Sequence, residues 1–408
     1  LYLHIPFCKS LCYFCACTKV ITRDRSPVAP YLSSLEAELR HYADFLGTRR
    51  ELSQIHYGGG SPSYLTEDEV ARIQEQCIAA FPRLAEHAEL SIELDPRTTS
   101  PALVRRLSTL GFNRVSFGVQ DFDPEVQHTI NRKQSFEETA ALCDAAREAG
   151  FSGVNVDLIY GLPGQTTHSF ERTLEQVLEL LPDRVALYGY AHVTWLKKVQ
   201  RALERAHLPS PEERLELFLL GIHRFIDAGY RYIGMDHFAR ENDSLSRALD
   251  DGTINRNFMG YTTQREADVL GVGMSAISSF QHGFSQNNKA LLEYQSLLAE
   301  GALPFERGLL TTREDRMRAD AIHRVLCGGV IDGPDFERMW GTDFRELIVC
   351  SPDVVEAFQR DGLIACSSER LEVTPFLGRV FMRNIAMLFD ARLSNHLAKS
   401  NPVFSQTV

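Results

Sequence analysis

Arg114-Val115-Ser116-Phe117-Gly118-Val119 and Gly153-Val154-Asn155-Val156-Asp157-Leu158-Ile159 are short apolar runs of the kind that form buried strands. Between them, residues 136–149 (FEETAALCDAAREA) carry apolar side chains at helical spacing. Two strands joined through a helix must lie parallel, with the helix crossing one face of the sheet. The same alternation extends in both directions. Strand patterns stand at 2–5, 54–57, 90–94, 114–119, 153–159 and 184–190, and helical patterns at 30–46, 67–80, 101–110, 136–149 and 167–181. Six such units in series predict an α/β fold: a full or partial TIM-like (β/α) barrel, or a doubly wound open sheet.

Either architecture gathers functional groups at the carboxyl ends of the strands. Polar residues recur at those ends. Cys8 follows the first strand, Gly58-Gly59-Gly60 the second, Glu93 and Asp95 close the third, and Gln120 the fourth. Asp157 lies within the fifth, and Tyr190-Ala191-His192 close the sixth. Past residue 235 the alternation fades into a Gly-rich polar stretch at 234–279, and Pro304 marks a boundary. The expected domains are 1–303, a barrel with extensions, and 304–408, mainly helical with a strand pair near 363–373, placed over the barrel mouth.

The chain has 408 residues, 44% hydrophobic and 24% charged, which suits a globular protein with ample core. A net charge of −11 argues against nucleic acid as a partner. No apolar run approaches the roughly 20 residues of a membrane span, so no membrane partner is expected. Nine cysteines without a framework pattern fit a reducing cytoplasm. Leu1 begins inside a strand, so a preceding segment is expected to be absent.

Four of the cysteines crowd one loop, Cys8, Cys12, Cys15 and Cys17, the first three spaced C-x3-C-x2-C. Such spacing lets three thiolates hold one iron–sulfur cluster with one iron left open. Zinc and a disulfide are competing readings, although zinc sites favour separated ligand pairs. Gly58-Gly59-Gly60-Ser61-Pro62 after a strand allows close backbone approach and exposes N–H groups to a ligand, or simply makes a tight turn. Glu93 and Asp157 sit in apolar strands, where an unpaired carboxylate is costly. Glu93 suits a ribose or ammonium group, or a buried ion pair. Asp157, facing a barrel lumen, could accept protons or hydrogen bonds from a ligand. Arg132, from its neighbours alone, reads as a solvated surface charge. His4, His56 and His192 flank strand ends and read equally well as packing or reactive groups.

The loop Cys8-x3-Cys12-x2-Cys15 resembles the signature of the radical S-adenosylmethionine (SAM) superfamily. The run from His4-Ile5-Pro6-Phe7-Cys8 to Cys17 resembles its oxygen-independent coproporphyrinogen III oxidase branch. YGGGSPSY (57–64), IELDPR (92–97), FGVQDF (117–122), NRKQ (131–134), DLIYGLPG (157–164), GMDHFAR (234–240), NFMGYTTQ (257–264) and GMSAIS (273–278) extend the likeness along the chain. Ala16 stands where the family usually has glycine, and Ser61 where threonine is common.

The resemblance implies the radical SAM type of barrel, with a [4Fe–4S] cluster on Cys8, Cys12 and Cys15. It implies one or two SAM molecules: a first on Tyr2, Gly59, Gly60, Ser61 and Glu93, a second on Gln120, Arg132, Asp157, Ala191 and Ile277. Tyr2 and Asp157 would be the catalytic residues. The implied reaction converts two propionates of coproporphyrinogen III to vinyl groups with loss of CO2, giving protoporphyrinogen IX in haem biosynthesis. The implied protein is a cytoplasmic monomer supplied by an electron donor such as flavodoxin or ferredoxin. Arg23, Arg240 and Arg256, in expected loops, are candidates for the propionates. Two alternatives stay open: a relative that methylates, cyclopropanates or opens a tetrapyrrole, and a haem-trafficking protein, whose relatives typically lack a counterpart of Cys17.

Overall fold

In the computed structural model, residues 1–47, 51–265 and 267–393 are described. The alternating strands are β1 (Tyr2–Ile5), β2 (Glu51–Gly59), β3 (Arg83–Leu94), β4 (Arg114–Gln120), β5 (Gly153–Tyr160) and β6 (Arg184–Gly189). A later strand, β7 (Gly271–Val272), pairs with β1. Their order is β7-β1-β2-β3-β4-β5-β6, and every pairing from β7 through β5 is parallel. Six strands in chain order mean that each crossover advances the same way, so the helices lie on one face and the other faces a lumen. A doubly wound sheet would reverse that order. With β7 at one edge, the barrel is partial.

The side-chain alternation is visible along β5. Val154, Val156, Leu158 and Tyr160 are buried toward the helices, whereas Asn155, Asp157 and Ile159 are less enclosed. The connecting helices α1 (Val28–Leu46), α2 (Glu67–Ala80), α3 (Pro101–Thr109), α4 (Pro124–Thr129), α5 (Phe136–Glu148) and α6 (Thr167–Glu179) start on side-chain caps in all but the first case. Thr66, Ser135 and Thr166 form full capping boxes, each worth about 1 kcal/mol. These caps start each helix shortly after the polar strand end that precedes it.

The chain separates into two compact units, but not at residue 304. Among the described residues, 1–47, 51–188, 199–209 and 267–310 form the first, and 189–198, 210–265 and 311–393 the second. The reason is a shared core. Ile233, Met235, Ala239, Leu245 and Tyr261 bury against Met317, Ala321, Val325, Phe336 and Phe389 in one apolar cluster. The expected strand pair is also larger: Arg370–Val373 pairs antiparallel with both Ile364–Cys366 and Val330–Asp332. The segment past 235 is partly regular, since His237–Arg240 forms a hairpin with Tyr230–Gly234. Among the described residues, no helix is long and apolar enough to cross a membrane.

Candidate functional site

The first unit builds its lumen in polar layers. At the amino ends of the strands, Glu89 is held by Arg114 at 3.0 Å, Arg184 at 3.7 Å and Gln54 at 2.8 Å. Above it, His56 bridges Ser91 (Nδ1 to Oγ, 2.7 Å) and Glu93 (Nε2 to Oε1, 3.1 Å). A carboxylate only accepts, so Nε2 of His56 carries a proton. Burial works against the charge on Glu93, but His56 and the Gly59 N–H outweigh it and hold the carboxyl below its usual range. Asp157 accepts from Ser116 Oγ at 3.0 Å. Burial and the facing Glu93 push its pKa up to about 7.

The tyrosine of β1 completes this layer. Tyr2 stacks on His56 with ring centroids 6.0 Å apart, and its hydroxyl lies 3.0 Å from His4 Nδ1. His4 Nε2 lies 2.9 Å from Thr18 O, a pure acceptor, so His4 donates there and accepts from Tyr2. Burial lowers the His4 pKa and keeps the ring neutral in that role.

The three glycines answer to packing. A Cβ on Gly60 would stand 2.4 Å from Pro6 O, and one on Gly59, whose φ is +115°, would stand 2.7 Å from the His4 ring. Their N–H groups are engaged rather than exposed: Gly60 donates to Ile5 O at 2.8 Å and Gly59 to Glu93 Oε2 at 3.4 Å. The expectation of free donors there is corrected, because β2 spends them against β1 and β3. Ser61 is buried and joins a hydroxyl chain through Ser63 (2.8 Å) to Thr98 (2.7 Å from Ser63).

The cysteine loop leaves the end of β1 and is pinned at its neck. Phe7–Cys8 pairs parallel with Val20–Ile21. Distant residues tie it further. Tyr13 N donates to Ile130 O (3.0 Å), Asn131 to Leu11 O (2.7 Å), and Gln200 to Phe14 O (2.9 Å). All nine cysteines are free. Burial pushes the Cys8 thiol up to about 12, whereas Cys15 is pulled down by the Cys17 thiol and by Lys19. Among the described residues, no group of three His, Cys, Asp or Glu side chains is set to hold a single metal ion.

Arg132 is not a surface charge. It is buried, bonds to Gly118 O, pairs with Asp95 at 3.3 Å and reaches Cys12 Sγ at 3.5 Å. Its place between β4 and the cysteine loop was hidden by the polar run Asn131-Arg132-Lys133. Its buried Nε has no partner among the described residues, which leaves a donor for an acceptor outside the protein. Arg97, a residue with no expected role, reaches Cys12 Sγ at 3.3 Å. The signal available was its register two residues after Asp95, across Pro96.

Gln120 ends β4 with φ at +69°, a conformation uncommon for a side-chain-bearing residue. Ile277 opens the strand Ile277–Phe280 in the first unit. Ala191 lies in the second unit, beyond β6, as does the Tyr190–His192 pair (2.9 Å). Arg23 is an exposed bend residue, but Arg240 and Arg256 lie in strands rather than loops. Their guanidiniums stack over Tyr230 and Tyr261, which anchors them where bare sequence suggested mobility.

The signature of the Radical SAM superfamily matches residues 2–177. The oxygen-independent coproporphyrinogen III oxidase of Salmonella typhimurium is 43% identical over 96% of this chain and 85% of its own length. That of Synechocystis is 39% identical over 97% and 85%. The solved structure described as coproporphyrinogen III oxidase (HemN) from Escherichia coli, a radical SAM enzyme, superposes with a TM-score of 0.91 at 42% identity, covering 96% of this chain and 89% of that one. With the cysteine loop at the carboxyl end of a parallel barrel, this likeness places the chain in the oxygen-independent coproporphyrinogen III oxidase family of the radical SAM superfamily.

Proposed function

We propose that this protein oxidatively decarboxylates two propionates of coproporphyrinogen III to vinyl groups without oxygen, giving protoporphyrinogen IX. The observation that carries the reading is the tethered Cys8–Cys12–Cys15 loop at the mouth of a polar-lined barrel, within a likeness spanning 96% of the chain. The family's cofactors are a [4Fe–4S] cluster and SAM, which when bound supply a 5′-deoxyadenosyl radical able to remove a propionate hydrogen.

The chain's own residues fit these groups. Cys8, Cys12 and Cys15 are free thiols on a loop already tied in place, and they are the proposed cluster ligands. Tyr2, Gly59, Gly60, Ser61 and Glu93 are proposed for the first SAM. There the glycines allow close approach, and Glu93, with its side chain 46% exposed, keeps an ionised carboxylate for an ammonium or hydroxyl group. Gln120, Arg132, Asp157 and Ile277, all in the first unit, are proposed for a second SAM position, with the unpaired Nε of Arg132 as its support. Asp157, titrating near neutrality, is suited to hold a pyrrole N–H, and Tyr2 to orient the reacting end. A cytoplasmic monomer served by a one-electron donor of the flavodoxin or ferredoxin type is the proposed setting, in keeping with nine free thiols.

Anaerobic incubation of the reconstituted protein with SAM, reductant and coproporphyrinogen III should release CO2 and yield vinyl products. If SAM is cleaved while the porphyrinogen stays intact, the substrate is wrong. A methylated or ring-opened product would assign the chain to a different reaction.

A further inference from the structure

The Asp95 carboxylate is shared between two guanidiniums. Arg97 donates to it through Nε (3.0 Å) and Nη2 (2.6 Å), and Arg132 through Nη1 and Nη2 (both 3.3 Å). Both guanidiniums then converge on one sulfur: Arg97 Nη2 lies 3.3 Å and Arg132 Nη1 3.5 Å from Cys12 Sγ. The group is enclosed, with side chains 16%, 13% and 8% exposed for Arg97, Asp95 and Arg132. Two cations against one carboxylate leave one positive charge, and an enclosed unbalanced charge is costly. A Cys12 thiolate balances it. The arrangement is thus complete when Cys12 is an anionic ligand and incomplete when it is a thiol.

We propose that Arg97, positioned by Asp95, tunes the reduction potential of the cluster through its charge-assisted hydrogen bond to the Cys12 sulfur. N–H···S bonds and nearby positive charge favour the reduced, more negative cluster, so Arg97 raises the potential. The guanidinium is needed because its planar fork spans Asp95 and Cys12 together, which an ammonium cannot do. This role rests on the reading of Cys12 as a cluster ligand.

The test is a poised redox titration of the reconstituted holoenzyme, read by electron paramagnetic resonance of the reduced cluster. Arg97→Gln should keep its iron and sulfide yet reduce about tenfold less readily at a given potential, a midpoint ~59 mV lower for a one-electron couple. Arg97→Lys should fall between the two. An unchanged midpoint in Arg97→Gln with a full cluster overturns the proposal. Should that variant fail to assemble, the unmutated holoenzyme decides, prepared with guanidino-15N arginine. Because Arg132 Nη1 also reaches this sulfur, two distinct nitrogen couplings to the reduced cluster support the contact, and one or none overturns it. Cys12→Ser separates the two readings. A full cluster in that variant defeats the ligand assignment itself, whereas its loss beside an unmoved Arg97→Gln midpoint defeats only the tuning.

Discussion

Glu38, on α1, is wholly buried beneath β7 and titrates far from its ordinary range. Its Oε2 accepts from Gly273 N (2.8 Å) and Tyr294 OH (2.7 Å), and Oε1 from Asn287 Nδ2 (2.7 Å). Burial pushes its pKa from 4.5 up to about 7, against the pull of those three donors. A carboxyl that binds its proton more tightly when folded contributes stability that is complete below its unfolded pKa. That contribution is lost as pH rises through the folded value. From about 4.5 unfolded and about 7 folded, linkage gives a gain of about 1.3 kcal/mol on going from about pH 8 to pH 6. Glu38→Gln removes that gain. One amide oxygen can keep the two Oε2 bonds, while Asn287 must turn, at a cost of about 1 kcal/mol for the bond it gives Gly273 O. Anaerobic urea unfolding of both proteins at the two pH values checks this. Asp121 and Asp157, raised to about 6 and about 7, contribute equally to both and cancel in the comparison. Equal pH dependence in wild type and Glu38→Gln would refute the reasoning.

Three further outcomes are expected. Cys12→Ser loses the brown chromophore and SAM cleavage while Cys17→Ser keeps the cluster; a persisting [4Fe–4S] spectrum in the Cys12 variant sinks the ligand assignment. Gly60→Ala drives a methyl group to 2.4 Å from Pro6 O, so overpacking of about 1–3 kcal/mol should lower both the unfolding temperature and iron loading. Unchanged melting and iron content would show that β1 and β2 can part there freely. If Asp157 holds a pyrrole N–H in its ionised form, turnover rises with pH through about 7. Asp157→Asn should flatten that rise and cut the rate roughly 10²–10⁴-fold; a wild-type pH profile in the variant removes Asp157 from the reaction.

The barrel was legible because strand alternation and helical spacing are local. β1 to β5 cover their predicted runs, with β3 starting well before its own at Arg83, and β6 stops at Gly189, just short of Tyr190. The division into units was not, because the core joining Ile233 to Phe336 closes across a hundred residues and leaves no local mark. At the site, the cysteine spacing and strand-end carboxylates were readable one by one. Arg132 was not: its polar neighbours advertise a surface, and its burial follows from Asp95, just past β3, and Gly118 O on β4. The glycine run was half legible. Its closeness to other backbone was expected, but the partners that consume its N–H groups belong to β1 and β3.

The cysteine loop is held by Ile130, Asn131 and Gln200 as well as by its own neck, and none of those bonds requires iron. Ordering a residue costs roughly 1–2 kcal/mol of entropy, and here folding meets that cost. Iron and sulfide can therefore arrive last, on a finished barrel, and a cluster destroyed by oxygen can be rebuilt without the chain unfolding. Repair of the site then becomes a matter of resupply rather than resynthesis.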